Sequence, residues 1–418
     1  MVFALLSRVY SAFAPPKVEK RKDGAIRVGI LGAAQIAPMA LIIPASNHPE
    51  VIVQAVSARD RKRAEEFAKK HGIPDVHDSY QAILDDPNID AVFIPLPNSL
   101  HFEWAVRSIR AGKHVLLEKP SVNTAAEAEI LFNLPELKQG ANPPVLLEAF
   151  HNRFHPAVQK FLSLIDHQNV THVHTDSMVS AWLTDKDNIG YNYKMGGGSM
   201  MMLGTYNFAM LRMIFGAEPD ECVTCSVGTF GDGVHDECDI DFRAKFRFPG
   251  GGIGEATTNM RGSILWKPSE ARVTHREVAV ADASLPSAQE KTRTRTVTLH
   301  GFIHAVVWHR IDVRDEYAIR NKKDGAVVRK WTESSSHKAY SFSEAVASGG
   351  EGAGQFQNLP GEVWWMSYRY QLEAFVNKIK GRETQFWVSG EDSLKQMKMV
   401  DMAYEKSGLG LRPTSNFR

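Results

Sequence analysis

Short apolar runs alternate with helically spaced stretches over the first third of the chain. The runs are IRVGIL, VIVQAVSA, AVFIPL, HVLLEK and VLLEAF, which begin at residues 26, 51, 91, 114 and 145. Helical spacing fills most of the intervals, as in SLHFEWAVRSIRAG from Ser99 to Gly112. A repeated order of strand, helix and strand predicts βαβ units in a parallel sheet. We therefore expect an α/β domain over residues 25–150.

After about Phe154 the chain alternates polar and apolar residues in consecutive strands. These strands are HVHTDSMVSAWL, CVTCSVGTF, DIDFRAKFRF and GGIGEATTNM, and one helical segment, Met200 to Phe215, interrupts them. Strands that follow one another without helices predict a mainly antiparallel sheet, so residues 151–360 are expected to form an α+β domain. Its Ser- and Gly-rich stretch, 334–355, is expected to be a mobile loop. The C-terminal segment 361–418 is predicted to hold two helices, at about residues 361–380 and 390–407.

The first 24 residues form an arm ahead of the α/β domain. Its apolar side chains have helical spacing until Pro15 and Pro16 end the pattern. The segment lacks the cationic start and long apolar run of a secretory signal. Arg8, with no acid before Glu19, fits a mitochondrial presequence. An arm packed on the body and a targeting peptide are therefore both open interpretations.

Composition and charge exclude several classes of function. At 418 residues the chain exceeds the ~250–300 residues that one core supports, which agrees with two domains. Its 49 Lys and Arg residues against 48 Asp and Glu give a formal charge of +1, so no basic field would attract nucleic acid or an anionic membrane. Only three cysteines occur, and no apolar run reaches the ~18 residues of a membrane span. A soluble cytoplasmic protein with a small-molecule substrate is expected.

The first apolar strand ends at a glycine that opens a dinucleotide-like turn. The sequence Gly32-Ala33-Ala34-Gln35-Ile36-Ala37 stands where a Rossmann fingerprint would read GxGxxG. The first glycine permits a tight turn, and free N–H groups of the following helix would face pyrophosphate. Alanine in the second place makes the motif weak by itself, and an ordinary βα turn is the alternative. The candidates for dinucleotide contacts here are Gly32, Ala34, Gln35 and Ile36.

The end of the second strand indicates which dinucleotide is bound. NAD enzymes place an acid there to hold the ribose hydroxyls, and that acid would repel the extra phosphate of NADP. Here Ser57 and Ala58 occupy the strand end, and Arg59 follows as a bidentate phosphate partner. Because Asp60 is also close, NAD stays as the alternative. The pattern favours NADP, with Ser57, Arg59 and Arg63 as contacts.

A longer signature lies between Ile89 and Pro120. It reads IDAVFIPLPNSLHFEWAVRSIRAGKHVLLEKP, and it is followed by Glu148 with HNRFHP at 151–156 and by GGGSMMMLGTY at 196–206. In these residues the chain resembles the glucose-fructose oxidoreductase, inositol dehydrogenase and MocA family over most of residues 25–410. The resemblance implies a Rossmann domain, then a domain with a large open antiparallel sheet that often mediates dimerisation, and a C-terminal segment that returns to the first domain. It implies further cofactor contacts at Pro97, Asn98, His101, Glu118, Lys119 and Glu148.

The resemblance also implies the residues of the reacting site. Family members use the lysine of the EKP motif there, commonly before a cis bond to proline, so Lys119 inherits that role. An aspartate and, four residues later, a histidine usually follow the glycine run, where this chain has Met202 and Tyr206. Tyrosine at this place resembles the dimeric dihydrodiol dehydrogenase and NADP-dependent xylose dehydrogenase branch, which uses a Lys and Tyr pair. Arg153, His155 and Met202 are candidates for substrate contacts, although His155 could equally cap a helix or pack at a domain hinge.

The chemistry of alcohol oxidation suits the Lys and Tyr pair. A base must take the hydroxyl proton while hydride leaves for nicotinamide. A free tyrosine has a pKa near ~10, and an adjacent ammonium such as that of Lys119 would favour the phenolate. Met202 and Tyr206 would point the same way from one helical face, beside glycines that leave room for cofactor or substrate.

The predicted function is NADP-linked hydride transfer between nicotinamide and an aldose such as D-xylose, or a cyclic diol. The alternatives are an NAD-linked sugar or inositol dehydrogenase, and a cofactor-sensing regulatory protein of the same fold without enzyme activity. No metal site is predicted, because Cys222 and Cys225 in the alternating ECVTCSVG would lie on opposite faces of a strand. A homodimer through the open sheet is expected, since helices of this chain cannot cover its whole broad face.

Overall fold

Two β-sheets with surrounding helices make up the computed structural model, which describes residues 2–18, 21–183, 185, 187–263, 265, 267–349, 353–384 and 386–417. The helices are α1 (Val2–Phe13), α2 (Ile43–Ser46), α3 (Arg61–His71), α4 (Tyr80–Asp85), α5 (His101–Arg110), α6 (Ala125–Phe132), α7 (Pro156–Ser163), α8 (Thr205–Phe215), α9 (Phe342–Ala347), α10 (Ser367–Ile379) and α11 (Gly390–Ser407). The strands are β1 (Ile26–Leu31), β2 (Val51–Ser57), β3 (Asp75–Val76), β4 (Ala91–Ile94), β5 (His114–Leu117), β6 (Leu146–Glu148), β7 (Val170–Ser180), β8 (Glu221–Gly228), β9 (Asp241–Arg247), β10 (Ile253–Gly262), β11 (Glu270–His275), β12 (Val278–Val280), β13 (Gln289–His300), β14 (Arg310–Asn321) and β15 (Val327–His337).

The first sheet has six parallel strands in the order β3-β2-β1-β4-β5-β6. Its central side chains, such as Ile30, Val92 and Leu117, are fully buried, because a parallel sheet is covered on both faces. The five apolar runs of the sequence are strands, while the short edge strand β3 was not predicted. The strand order reverses between β1 and β4, and the carboxyl ends of the strands form the ligand crevice of such sheets.

The second sheet has nine strands, ordered β15-β14-β13-β11-β7-β10-β9-β8 with β12 paired to β13. Its strand pairs are antiparallel except β7 with β10, which are parallel. Alternate side chains, including Val173, Phe246 and Ala256, are buried on one face, where α8 packs against β7 and β10. The predicted fold class, a Rossmann-like parallel sheet followed by a large and mainly antiparallel sheet, is therefore confirmed.

The Ser- and Gly-rich stretch 334–355 is not one mobile loop, so that prediction was wrong. Strand β15 continues through its first serines, and α9 begins at Phe342. The Ser341 hydroxyl accepts a hydrogen bond from the Glu344 amide and caps the helix, while Phe342 is fully buried. Ala339, Tyr340 and Ala345 are buried as well, so the segment packs on the core through several apolar side chains. Residues 350–352 lie outside the described residues.

The C-terminal helices contact the parallel-sheet domain. Helix α10 begins at Ser367 rather than near residue 361, whereas α11 has the expected bounds. Arg369 Nε donates to Asn47 Oδ1 at 2.8 Å, beside α2. The amide of Ala125, at the start of α6, donates to Asp401 of α11 at 2.8 Å. Helix α11 also packs against β8, and Arg412 beyond it donates to the Gly197 carbonyl at 2.8 Å, so the end of the chain contacts both sheet regions.

Helix α1 packs against the second domain. The Arg8 guanidinium donates from Nε to the Val306 carbonyl at 3.1 Å and lies 3.4 Å from the centre of the Tyr340 ring. Ala12 is buried as well. These contacts are those of an arm packed on the body. Among the helices that the described residues form, none has both the length and the apolar character of a membrane span.

Candidate active site

Gly32 shapes the turn after β1. Its φ is +109°, and a Cβ atom there would lie 3.0 Å from Leu96 Cδ2, so a larger residue would strain the turn. The Gly32 amide donates to the Ser57 carbonyl at 2.7 Å. The Ser57 hydroxyl is buried and has no hydrogen-bond partner within the described part of the chain. The Ser57 hydroxyl, at the ends of β1 and β2, is therefore available to bind a ligand.

Two arginines add positive charge at this edge of the sheet. Arg63 Nη2 donates to the Ala33 carbonyl at 3.0 Å, and the Arg59 side chain is exposed. Burial raises the pKa of Tyr80, and the charges of both arginines oppose that shift. The Asp60 carboxylate accepts from the Arg63 amide at 3.2 Å and caps α3. Asp60, which left NAD as the alternative cofactor in the sequence analysis, therefore caps helix α3 in the structure.

The remaining candidate residues of the turn are at least partly accessible. Ala34 and Ile36 are half-buried and Gln35 is exposed, next to the buried glycine. A close backbone approach at Gly32, the free Ser57 hydroxyl and exposed arginine charge are features that suit ribose and phosphate groups. The residues present therefore fit a dinucleotide cofactor.

The loop after β4 joins the first domain to the glycine run. Pro97 precedes a 3-10 turn, in which Asn98 Nδ2 donates to the Gly196 carbonyl at 2.8 Å. His101 is fully buried, and its two ring nitrogens lie 2.8 Å from the carbonyl oxygens of Leu96 and Pro120. Burial lowers the pKa of His101 to about 4. The neutral ring has one N–H group and a carbonyl only accepts, so His101 donates a hydrogen bond to one of these two carbonyls, either after β4 or after β5.

The EKP motif follows β5, and its lysine is partly buried. Burial lowers the pKa of Lys119 to about 8, although the carboxylates of Glu118 and Glu148 oppose that shift. Burial also raises the pKa values of both glutamates to about 7. Glu148 accepts a hydrogen bond from the Ser121 amide at 2.7 Å. The bond between Lys119 and Pro120 is cis, as the resemblance implied.

Lys119 meets Tyr206 across the two domains. The lysine lies beyond β5 of the parallel sheet, and Tyr206 lies in the first turn of α8 in the second domain. Lys119 Nζ lies 4.5 Å from the centre of the Tyr206 ring and donates to the Met202 carbonyl at 2.8 Å. The ammonium therefore faces the ring of Tyr206 rather than its hydroxyl. Burial raises the pKa of Tyr206 well above its usual value.

Met202 does not share a regular α-helix with Tyr206. Residues Met200–Gly204 form a π-helical turn, and α8 starts at Thr205. The main chain of Met202, rather than its side chain, contacts Lys119. The resemblance implied an aspartate at this position. The Met202 carbonyl accepts the hydrogen bond from the Lys119 ammonium there.

His151 is the site residue that the sequence did not single out. Its Nε2 lies 2.8 Å from the Tyr206 hydroxyl, and its Nδ1 lies 2.7 Å from Ser367 Oγ. The Tyr368 and His304 rings stack on it, with centroids 3.9 and 5.8 Å away. The local signals were its place after β6, at the same edge of the sheet as Lys119, and its position at the start of the HNRFHP motif. Its partners are far along the chain, so spacing could not reveal them.

The structure gives Arg153 and His155 other partners. Arg153 pairs with Asp392 of α11, which also binds Arg212 at 2.8 Å. His155 is fully buried, and its Nδ1 accepts from the Ala157 amide at 3.1 Å, which caps α7. Capping was the alternative for His155. The geometry engages both side chains within the protein.

The cysteines and histidines outside this site are not grouped as metal ligands. Cys222, Cys225 and Cys238 are free thiols, and burial raises the pKa of each. Within the described ranges, no three His, Cys, Asp or Glu side chains are arranged to hold a metal ion.

Several known proteins are similar to this chain over most of its length. A D-xylose 1-dehydrogenase (NADP(+)) of Haloferax volcanii is 28% identical over 386 residues, which cover 91% of this chain and 97% of that protein. The trans-1,2-dihydrobenzene-1,2-diol dehydrogenase of Sus scrofa is 28% identical over 57% of this chain and 70% of its own. The solved 3-ketoreductase KijD10 of Actinomadura kijaniata, in complex with NADP and TDP-benzene, has a TM-score of 0.65 at 21% identity and covers 91% of this chain and 98% of its own.

Two family descriptions match this chain, each over a different range of residues. Residues 26–140 match an oxidoreductase family with an NAD-binding Rossmann fold. Residues 168–265 match the GFO/IDH/MocA C-terminal domain. The first range holds the Gly32 turn and Lys119, and the second holds Tyr206. The chain therefore belongs to the GFO/IDH/MocA family of oxidoreductases.

Proposed function

We propose that this oxidoreductase transfers a hydride between NADP and a sugar such as an aldose, or a cyclic diol, with Tyr206 as acid and base and Lys119 as the charge beside it. The single observation that carries the proposal is the approach of Lys119 Nζ to within 4.5 Å of the Tyr206 ring. These residues come from separate domains and meet beyond the carboxyl ends of the parallel strands, where α/β sheets bind their ligands.

Each residue has a defined protonation state for this chemistry. The bound nicotinamide supplies or accepts the hydride. Burial keeps the Tyr206 phenol protonated at neutral pH, so it can give its proton to a carbonyl oxygen in the reduction direction. Lys119, whose pKa is about 8, still carries its charge there and stabilises the phenolate that remains. Oxidation uses the same groups in reverse.

The turn residues support NADP over NAD. Arg59 is exposed at the end of β2, where the extra phosphate would lie, and Asp60 is occupied as the cap of α3. The relative from Haloferax volcanii carries NADP in its name, and the solved 3-ketoreductase was crystallised with NADP. We assign the contacts to Gly32, Ser57, Arg59 and Arg63.

The substrate class follows from the relatives and from the site. The relatives act on D-xylose and on a cyclic diol, and both reactions concern a secondary or anomeric hydroxyl. Retention of both Lys119 and Tyr206 favours an enzyme over a cofactor-sensing protein of the same fold. At Met202, where the resemblance implied an aspartate, the main-chain carbonyl accepts a hydrogen bond from Lys119.

A screen by nicotinamide absorbance tests the proposal. Aldoses, uronates, inositols and cyclic diols are offered with NADP and with NAD, and the corresponding lactones and ketones with the reduced cofactors. Turnover of a sugar or diol with NADP is expected. If the protein binds NADP and turns over none of these compounds, the sensing alternative replaces the enzyme.

We also propose a homodimer through the second sheet. The face of this sheet away from α8 is charged, with Lys245 paired to Glu255 at 3.0 Å and His300 to Asp312 at 3.3 Å. A partner would therefore meet a polar face rather than an apolar one. Sedimentation at micromolar concentration in low and high salt tests this, and a monomer in both would contradict it.

A further inference from the structure

The Tyr206 hydroxyl is held by a histidine that the proposed reaction does not use. His151 Nε2 lies 2.8 Å from this hydroxyl, and the histidine side chain is fully buried. Lys119 Nζ instead faces the Tyr206 ring and donates to a main-chain carbonyl. The oxygen that must gain or lose a proton therefore has an imidazole as its partner.

The orientation of the His151 ring is fixed from several elements. Ser367 Oγ, at the start of α10, lies 2.7 Å from Nδ1. The Tyr368 ring stacks on the imidazole at a centroid distance of 3.9 Å, and the His304 ring stacks at 5.8 Å. A ring that is bonded at both nitrogens and stacked by two neighbours cannot turn freely. This support is what a positioning residue requires.

The surroundings of His151 keep it neutral. Burial lowers its pKa well below the usual value, and the neighbouring His304, Lys119 and His155 side chains further disfavour a positive charge on it. Three other groups face the imidazole ring: the hydroxyl of Tyr206, the hydroxyl of Ser367 and the aromatic ring of Tyr368. A neutral imidazole has one N–H group and one acceptor nitrogen. If the Ser367 hydroxyl donates to Nδ1, the N–H group lies on Nε2 and points to the tyrosine oxygen.

We propose that His151 is a positioning residue that donates its Nε2–H to the Tyr206 oxygen and stabilises the phenolate formed during turnover. The inference rests on the proposed function. In reduction, the carbonyl carbon gains a hydride from the reduced nicotinamide, and the carbonyl oxygen gains the Tyr206 proton. The O–H bond of the phenol breaks and that of the product alcohol forms. His151 keeps its proton throughout, and its hydrogen bond strengthens as charge develops on the phenolic oxygen.

Two substitutions separate this role from simple packing. His151→Met fills similar space without a donor, whereas the amide of His151→Gln can place an N–H group near the Nε2 position. We expect His151→Met to lower kcat about tenfold or more with the KM for NADPH nearly unchanged, and His151→Gln to recover most of that loss. His275→Met is the matched control, because His275 is also a buried histidine but lies in β11, remote from this site. It should leave kcat unchanged.

Loss of kcat in His151→Met without recovery in His151→Gln would assign a merely structural role and overturn the proposal. Unchanged kcat in His151→Met would overturn it as well. A second measurement needs no turnover: nitrogen NMR of protein labelled with ¹⁵N in histidine should show a protonated Nε2 in His151 that shifts in Tyr206→Phe. An unprotonated Nε2, or no shift, would overturn the assigned hydrogen bond. If the wild-type protein turns over no substrate, the proposed function fails, and the nitrogen signals still decide the hydrogen bond.

Discussion

The cofactor end and the reacting end of the proposed site handle charge in different ways. At the cofactor end, Arg59 is exposed beside a short turn built by neighbours in sequence. At the reacting end, Tyr206 and His151 are buried and Lys119 is partly buried, and burial shifts the pKa of each. Exposed charge recognises a phosphate without a large desolvation cost, whereas buried groups gain altered proton affinities. Binding and proton transfer therefore have separate physical origins, and they can be altered separately.

The largest effect is expected at the reacting end. Tyr206→Phe keeps the ring but removes the transferable proton, so turnover should fall by about 10²–10⁴ while NADP binding persists. Lys119→Met should cost a similar factor, because the phenolate loses its nearby charge. The double variant should be little worse than the poorer single one, since both residues serve one step. Steady-state kinetics on all four forms, with separate cofactor titrations, measure this; near-normal turnover in Tyr206→Phe would move the acid to another group.

The next effect belongs to the cofactor end. Arg59→Ala should weaken NADP binding by about 1.5–3 kcal/mol, the worth of a charge-assisted contact, and leave NAD binding nearly unchanged. Calorimetric titration with each cofactor measures the difference. Arg61→Ala is the matched control, because Arg61 lies two residues after Arg59, at the start of α3, and pairs with Glu65 at 2.9 Å. Equal losses for the two cofactors would contradict a phosphate contact at Arg59.

A pH profile sharpens the contrast in burial. The pKa of Lys119 is lowered to about 8, so its ammonium is present below that pH and is lost as pH rises through it. The kcat/KM for reduction should therefore fall about tenfold per unit well above pH 8. In Lys119→Arg the charge persists, so the alkaline fall should disappear even though the rate is lower. The same fall in that variant would show that another group titrates.

The smallest effect concerns Asp60, which could be a helix cap or a ribose ligand. As a cap, Asp60→Ala should lower the free energy of unfolding by about 1 kcal/mol and leave the affinity for NAD unchanged. Asp60→Ser, which retains a capping oxygen, should keep most of the stability. Denaturant titration and cofactor binding measure the two quantities. A selective loss of NAD affinity would assign the carboxylate to the ribose.

Local patterns predicted the parts of the fold that depend on local physics. The buried strands of the parallel sheet read as apolar runs because both of their faces are covered. The Gly32 turn and the EKP motif are contiguous in sequence, so their places followed from short motifs. The segment 334–355 misled the prediction because serine and glycine are common in loops, although Ser341 caps a helix here.

The reacting site could be predicted only in part, because its contacts join distant residues. Lys119 and Tyr206 were identified through the resemblance, but the position of the ammonium over the ring depends on how the two domains pack. His151 contacts Tyr206 and Ser367, which lie 55 and 216 residues away along the chain. Neither periodicity nor spacing reports such pairs. The salt bridge between Arg153 and Asp392 could not be predicted either, because the two residues are 239 positions apart.

The origin of the proposed pair in two domains has an evolutionary consequence. The groove for the dinucleotide is built by the first domain, and the phenol that would move the proton is built by the second. A lineage could therefore lose Tyr206 by a single substitution and keep its affinity for the nucleotide. Such a descendant would still bind the cofactor, and its bound fraction would follow the cofactor concentration. Within this fold, a single substitution would therefore be enough to convert an enzyme into a protein that senses the cofactor.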